Sequence, residues 1–272
     1  MDPSVALSLI VGILQGIFEW LPISSEGNIT LYLTVVENVS PAVAVQLSLF
    51  LHAGTALSAL AYYRDEVAAL LGEIPNWRPD RAFDRDRSEL TFLVVATLAT
   101  GVVGLPAYVV LEEVVSQLAG GAFVALIGAL LIVTGLVQRG VEGRGGRRGT
   151  PDLIDAVLVG GLQGLAILPG VSRSGTTASA LLLRGHDGPS SFRLSFLLSI
   201  PAALGAGAIT TLSDGIPAIS PAMAGVALLT SAVVGYLTID ALMRLVERVS
   251  FWLVCVGLGS LAVIGGAGVF LV

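Results

Sequence analysis

Two short stretches of this chain carry residue types that could bind an anion or move a proton. Gln15, Glu19, Ser24, Ser25, Glu26 and Asn28 form the first set, and Gln163, Ser172, Arg173, Ser174, Thr176 and Thr177 the second. A carboxylate can accept a proton from a hydroxyl, and a serine hydroxyl can attack phosphorus or donate to its oxygens. The arginine adds a planar fork of donors that matches phosphate geometry. Helices restarting after Gly27 and Gly175 would aim N-terminal N–H groups and positive dipole ends into the same space. Ser, Thr and Gly also serve as plain packing residues in membranes, and a lone Glu–Arg pair can pin two segments together. The density of such groups at two matching places favours a functional site for phosphate.

These residues sit in a chain built for lipid. Of 272 residues, 54% are hydrophobic and 12% charged, and the mean hydropathy is +0.88. That composition excludes a water-soluble globule. All 14 basic residues are arginines, so a P-loop lysine, a Schiff-base lysine and a Ser-Lys dyad are excluded. The single cysteine, Cys255, can form neither an intrachain disulfide nor a cysteine metal site. A net charge of -6, with arginines scattered among carboxylates, argues against nucleic acid as a partner. The acidic, lysine-free composition suits a salt-rich cytoplasm or a GC-rich genome. The N-terminus lacks the basic start of a cleavable signal, so the first apolar stretch is expected to stay in the mature protein.

A spanning helix needs roughly 20 apolar residues and tolerates charge poorly. Uncharged runs fall at 3–18, 27–36, 38–63, 90–111 and 114–138, then at 156–172, 174–183, 194–213, 215–239 and 249–272. Each half begins with a short pair broken by a Pro/Ser/Gly cluster and continues with three longer runs. The expected fold is therefore an all-α integral membrane protein, an inverted-topology repeat of six transmembrane helices plus two re-entrant helical hairpins. The first repeat covers 1–138, with its hairpin at 4–36 and spans near 41–63, 90–111 and 116–138. A Gly/Arg-rich linker covers 139–152. The second repeat covers 153–272, with its hairpin at 153–184 and spans near 192–212, 217–240 and 250–271.

Residue identities support the repeat independently. Gly12-Ile13-Leu14-Gln15-Gly16 followed by Leu21-Pro22-Ile23-Ser24-Ser25-Glu26-Gly27 recurs as Gly160-Gly161-Leu162-Gln163-Gly164 followed by Leu168-Pro169-Gly170-Val171-Ser172-Arg173-Ser174-Gly175. Three spans per repeat invert the second copy. If the loop at 64–89 is cytoplasmic, the segments on its side hold thirteen of the fourteen arginines, Arg85 among them. The other side carries Asp2, Glu37, Glu112, Glu113 and Asp214 and no arginine. By the positive-inside rule both termini lie outside, and the two hairpin tips converge within the membrane. The remaining arginine, Arg173, sits at one tip, where Glu19 or Glu26 can pair with it.

The motifs resemble those of the BacA-type undecaprenyl pyrophosphate phosphatase family of integral membrane enzymes. Gln15-Gly16-Ile17-Phe18-Glu19 matches a motif of Glu or Gln, three residues, then Glu. Leu21 to Gly27 matches a second motif, and Pro169-Gly170-Val171-Ser172-Arg173-Ser174-Gly175-Thr176-Thr177 matches the specific Pro-Gly-x-Ser-Arg-Ser-x-x-Thr signature. The similarity extends over the whole chain. It implies a plasma-membrane enzyme that removes the terminal phosphate of a long-chain polyprenyl diphosphate and so recycles the lipid carrier of cell-envelope glycans, an activity tied to bacitracin resistance.

Carried onto this chain, the resemblance implies Glu19, Ser25 and Arg173 as catalytic, with Ser25 the nucleophile and Arg173 the phosphate clamp. Ser24, Gly27, Asn28, Gly170, Ser172, Ser174 and Thr177 would bind substrate phosphate, and Gln15, Glu26 and Gln163 would support them. It also implies a divalent cation, Mg2+ or Ca2+, held partly by Glu19, and leaves a homodimer open. Two departures stand out. Asn28 replaces a histidine and Glu26 a threonine that the family often carries, which makes Glu19 the obvious base and Glu26 the second. His52 reads as a helix-packing residue, and His186 lies in a basic loop. The membrane lipid phosphatases that resemble soluble acid phosphatases need a lysine and motif histidines, and are excluded. The alternative from another class is an inverted-repeat transporter or flippase for a lipid phosphate or other anion.

Overall fold

The computed structural model describes residues 3–84, 87–118, 120–213, 220–246 and 248–269. Asp2, Arg85 and Asp214, three of the charges that orient the chain, lie outside the described residues, as does the start of the 217–240 span. The described residues are almost wholly helical: α1 (Pro3–Phe18), α2 (Ser25–Leu31), α3 (Pro41–Tyr62), α4 (Arg64–Glu73), α5 (Ser88–Gln117), α6 (Gly121–Val141), α7 (Leu153–Leu165), α8 (Arg173–Leu183), α9 (Gly188–Ser213), α10 (Pro221–Val246) and α11 (Trp252–Val269). Five of them, α3, α5, α6, α9 and α10, are long and apolar enough to cross a membrane, while α1, α7 and α11 are shorter apolar helices. With so much apolar surface and its backbone polar groups satisfied within helices, the chain is an integral membrane protein.

Several boundaries differ from the sequence expectation. The polar loop at 64–89 opens with a ten-residue helix, α4. Helix α5 continues through Glu112 and Glu113 to Gln117, because charges beyond the apolar window do not stop a helix. The stop comes at Leu118, which is extended, and Gly120, at φ 58°. The helices that follow the two breaks begin at Ser25 and Arg173, three residues earlier than expected. Ser24 and Ser172 cap them, each hydroxyl accepting from the glycine N–H three residues on, at 3.2 Å. The N–H groups of Gly27 and Gly175 are thereby committed to caps.

The helices pack in reciprocal pairs: α1 along α10, α7 along α5, α3 along α9 and α6 along α11. The repeated Gly-x-x-x-Gly explains the first two. A Cβ on Gly12 or Gly16 would lie 2.7–2.8 Å from the backbone at Ala227 and Gly235. One on Gly160 or Gly164 would lie 2.3–2.8 Å from Ala96 and Gly104. Small residues let backbones approach where the hydrophobic effect contributes nothing to helix association.

Helix α6 fixes both breaks. Thr134 Oγ1 donates to the Gly170 carbonyl at 3.0 Å and accepts from Ser172 N at 3.2 Å. One turn on, Gln138 Nε2 donates to the Pro22 carbonyl at 2.5 Å, and Cys255 Sγ of α11 donates to the same oxygen at 3.3 Å.

Candidate active site

The break after α1 and the break after α7 meet directly. Ser24, at φ 61°, is one of only two non-glycine residues with positive φ among those described. This sparsely populated conformation turns its hydroxyl outward, where it accepts from Gly170 N at 3.1 Å across the tips. Gly27 packs so tightly against the other tip that a Cβ on it would stand 2.6 Å from Gly170 N.

At this junction Glu19 is the hub. Its Oε1 accepts from Arg173 Nη2 at 2.5 Å, joining the two halves of the chain. Its Oε2 accepts from Ser25 Oγ at 2.7 Å and from Gln15 Nε2, one helical turn earlier on α1, at 3.0 Å. His52 Nε2 lies 3.3 Å from the same oxygen. The hydroxyl–carboxylate contact is the geometry of a nucleophile and its base. Arg173 also reaches the Ser195 carbonyl at 3.4 Å and lies over the Phe196 ring at 5.7 Å, so two elements hold the guanidinium in place while donors remain for an anion.

His52 is not the packing residue the sequence suggested. Its Nδ1 faces the Ser48 carbonyl at 2.8 Å, which orients the ring and sends Nε2 to Glu19. A lone histidine in an apolar run gives little signal. Its spacing from Ser48 and Thr55 places all three on one face of α3, and Gln15 Nε2 meets that face at Thr55 Oγ1, 3.4 Å away.

A polar cavity of about 20 Å³ lies among Glu19, Ser24, Ser25, Glu26, Ser172 and Arg173. Ser174 also lines it, with its hydroxyl donating to the Leu21 carbonyl. Adjoining it is a cavity of about 200 Å³ that shares Glu19, Glu26, His52 and Arg173 and continues between α3, α5, α7 and α9 along Leu49, Leu105 and Ile209. One end is charged and the rest apolar, the form needed for an anionic head on a hydrocarbon tail. A separate cavity of about 510 Å³ lies behind the tips near Arg144, Arg248 and Trp252, and neither Glu19 nor Arg173 lines it.

Other expected site residues do structural work. Asn28 donates from Nδ2 to the Ile23 and Ser24 carbonyls at 2.6 and 2.9 Å, bracing the break. Thr177 Oγ1 pairs with Ser195 Oγ at 2.6 Å, as Thr30 Oγ1 does with Ser48 Oγ at 3.3 Å in the first half. Gln163 faces the larger cavity and donates to Thr100 Oγ1 at 3.1 Å.

The site therefore defines a class: a membrane protein with a buried cluster of carboxylate, hydroxyl and guanidinium groups assembled where two helical breaks meet. The family model "Bacitracin resistance protein BacA" matches residues 8–261, and the chain belongs to that family. It is 59% identical over 267 residues to the undecaprenyl-diphosphatase of Haloarcula marismortui, covering 98% of each chain. It is 39% identical to that of Methanococcoides burtonii, covering 96% of this chain and 98% of the relative. With the one from Methanopyrus kandleri it shares 40%, over 94% of both chains.

Proposed function

We propose that this protein is an undecaprenyl-diphosphatase-type enzyme: it hydrolyses a long-chain polyprenyl diphosphate to the monophosphate and inorganic phosphate, recycling the carrier for cell-envelope glycan synthesis. The observation that carries this reading is the hydrogen bond from Ser25 Oγ to Glu19 Oε2, beside Arg173 and at the charged end of an apolar cavity. The relatives' activity and the length of the match support it.

The diphosphate occupies the charged end and the prenyl chain follows the apolar lining into lipid. Ser25 Oγ attacks the terminal phosphorus as its proton passes to Glu19, and the bridging P–O bond breaks to release polyprenyl monophosphate. Arg173 turns its free donors to the equatorial oxygens and offsets their charge. Water then cleaves the phosphoserine, and the proton on Glu19 returns to Ser25. Inverted repeats placing two re-entrant hairpins tip to tip, with both termini outside the plasma membrane, account for the reciprocal helix pairs and the arginine distribution.

A divalent cation, Mg2+ or Ca2+, belongs to the same reading; bound with the diphosphate, it would neutralise charge and polarise phosphorus. Among the described residues no three His, Cys, Asp or Glu side chains group as a metal-binding set. The site therefore fits an ion that arrives with substrate phosphates and rests on one or two carboxylates, and the carboxylates available are Glu19 and Glu26.

Phosphate release from polyprenyl diphosphates of graded length by detergent-purified protein, without any membrane gradient, tests the reading. Stoichiometric phosphate and monophosphate lipid are expected. No release, together with gradient-dependent uptake of the lipid into vesicles, would refute it in favour of a carrier.

A further inference from the structure

Glu26 is the one acidic side chain of the site that takes no part in the proton transfer above. It is 4% exposed, and its Oε1 is buried without a hydrogen-bond partner. It lines both the small polar cavity and the larger one, close enough to Glu19 to feel its charge. Arg173 pairs with Glu19 instead, and no hydrogen bond or ion pair joins it to Glu26 among the described residues. No ion pair is formed by Glu26, whereas Glu19 has four protein partners, Arg173, Ser25, Gln15 and His52. A buried carboxylate without a countercharge is costly. A proton relieves that cost, and so does a cation that displaces the proton; in a site that receives a diphosphate, such a cation arrives on the phosphate oxygens.

We propose that Glu26 is the carboxylate that receives the divalent cation carried by the substrate diphosphate, leaving Glu19 to act as base. The assignment rests on the hydrolase reading above. Mg2+ keeps most of its octahedral shell as water and phosphate oxygen and takes one or two protein carboxylates, so a single well-placed acid suffices. Glu26 stands on the first turn of α2, next to Ser25 in the chain, and lines the same small cavity as Ser25 and Arg173. The division of labour separates two demands that conflict on one residue, since a carboxylate bound to a dication is a poor proton acceptor.

The test uses the full-length protein in detergent, Mn2+ as the probe and a non-hydrolysable prenyl methylenediphosphonate as the diphosphate. Mn2+ binding is followed by electron paramagnetic resonance, and thermal unfolding is recorded in parallel. In the wild type each ligand should tighten the other by about tenfold or more, because their coupling is reciprocal. In Glu26→Gln this mutual enhancement should fall to within about twofold of unity, while the ligand-free protein unfolds at the same temperature or higher. Glu19→Gln should retain the enhancement. Enhancement unchanged in Glu26→Gln, lost in Glu19→Gln alone, or absent from a wild type that still releases phosphate, would overturn the assignment and leave the hydrolase reading standing. If Glu26→Gln fails to fold, Glu26→Asp, which keeps the charge and withdraws it by one methylene, should weaken Mn2+ in the presence of analogue without weakening the analogue alone; equal Mn2+ affinity would overturn the proposal. A wild type that releases no phosphate would instead defeat the underlying reading.

Discussion

The two broken helical segments share a design but not a chemistry. In both, a serine caps the restarting helix and a threonine one turn further on pairs with a serine of the next long helix. The first segment then carries Glu19 and Glu26 and no arginine, whereas the second carries Arg173 and no carboxylate at its tip. Their outer ends differ as well. The second is closed by an ionic clasp in which Asp155, wholly buried, accepts from Arg184 Nε at 2.7 Å, Arg148 Nη2 at 3.0 Å and His186 Nε2 at 2.9 Å. Asp152 and Asp155 also cap α7 reciprocally. The corresponding positions of the first segment are Leu7 and Val36, and Leu7 packs against an apolar cluster. Repetition supplied the frame, and divergence placed acid on one side and base-binding cation on the other. The candidate site lies where the two meet, at the Glu19–Arg173 contact.

The largest effect should come from the acidic side. Glu19→Gln removes the proton acceptor and should lower kcat by about 10²- to 10⁴-fold, read from phosphate release, and, because it takes away the buried partner of Arg173, it should also lower the unfolding temperature. Ser25→Ala sharpens the same point: a loss of about 10³-fold or more would support serine attack, whereas full activity would leave water as the nucleophile. On the cationic side, Arg173→Lys keeps the charge but loses the planar fork, and about 10²-fold lower kcat/KM is expected.

A smaller and different effect belongs to the clasp. Asp155→Ala leaves the buried His186 Nε2 without its partner and Arg148 and Arg184 with Asp152 as carboxylate partner, and should cost about 1–3 kcal/mol of stability, seen as a lower unfolding temperature, with kcat nearly unchanged in the protein that remains folded. The clasp should also respond to acid. Burial opposes the charge on Asp155, but hydrogen bonds from Arg184 and His186 outweigh it and hold the carboxyl below its ordinary range. Stability from a carboxyl held low is present above its unfolded pKa of about 3.9 and is lost as pH falls through the lower folded value. Unfolding temperature in the wild type should therefore hold through mildly acidic pH and fall below about pH 4, a slope that Asp155→Asn should flatten.

Much of this was legible in the sequence because it is written locally. The repeated Gly-x-x-x-Gly, the interrupted apolar runs and the Ser-Arg-Ser signature each lie within a dozen residues, and they located both breaks and the trio Glu19, Ser25 and Arg173. What was missed depends on partners distant in sequence. His52 became part of the site only because α3 turns the Ser48–His52–Thr55 face toward α1. For Asn28 and Thr177 the resemblance implied phosphate binding; in the structure Asn28 donates to nearby carbonyls and Thr177 pairs with Ser195, contacts no local motif announces. The Asp155 clasp joins the linker to the far end of α8, and only the Asp152–Asp155 spacing hinted at it. Helix α4 was hidden by its charges, since an exposed helix needs no apolar face to form.

The claim that one site is assembled from both halves is tested most directly by a double-mutant cycle of Glu19→Gln and Arg173→Ala in kcat/KM for a long-chain polyprenyl diphosphate. Groups acting as a unit across the tips should be strongly non-additive, the double mutant being little worse than the more damaged single mutant, with a coupling close to the smaller single loss, on the order of 3 kcal/mol. Additive losses would mean that the two residues act independently and would contradict the account.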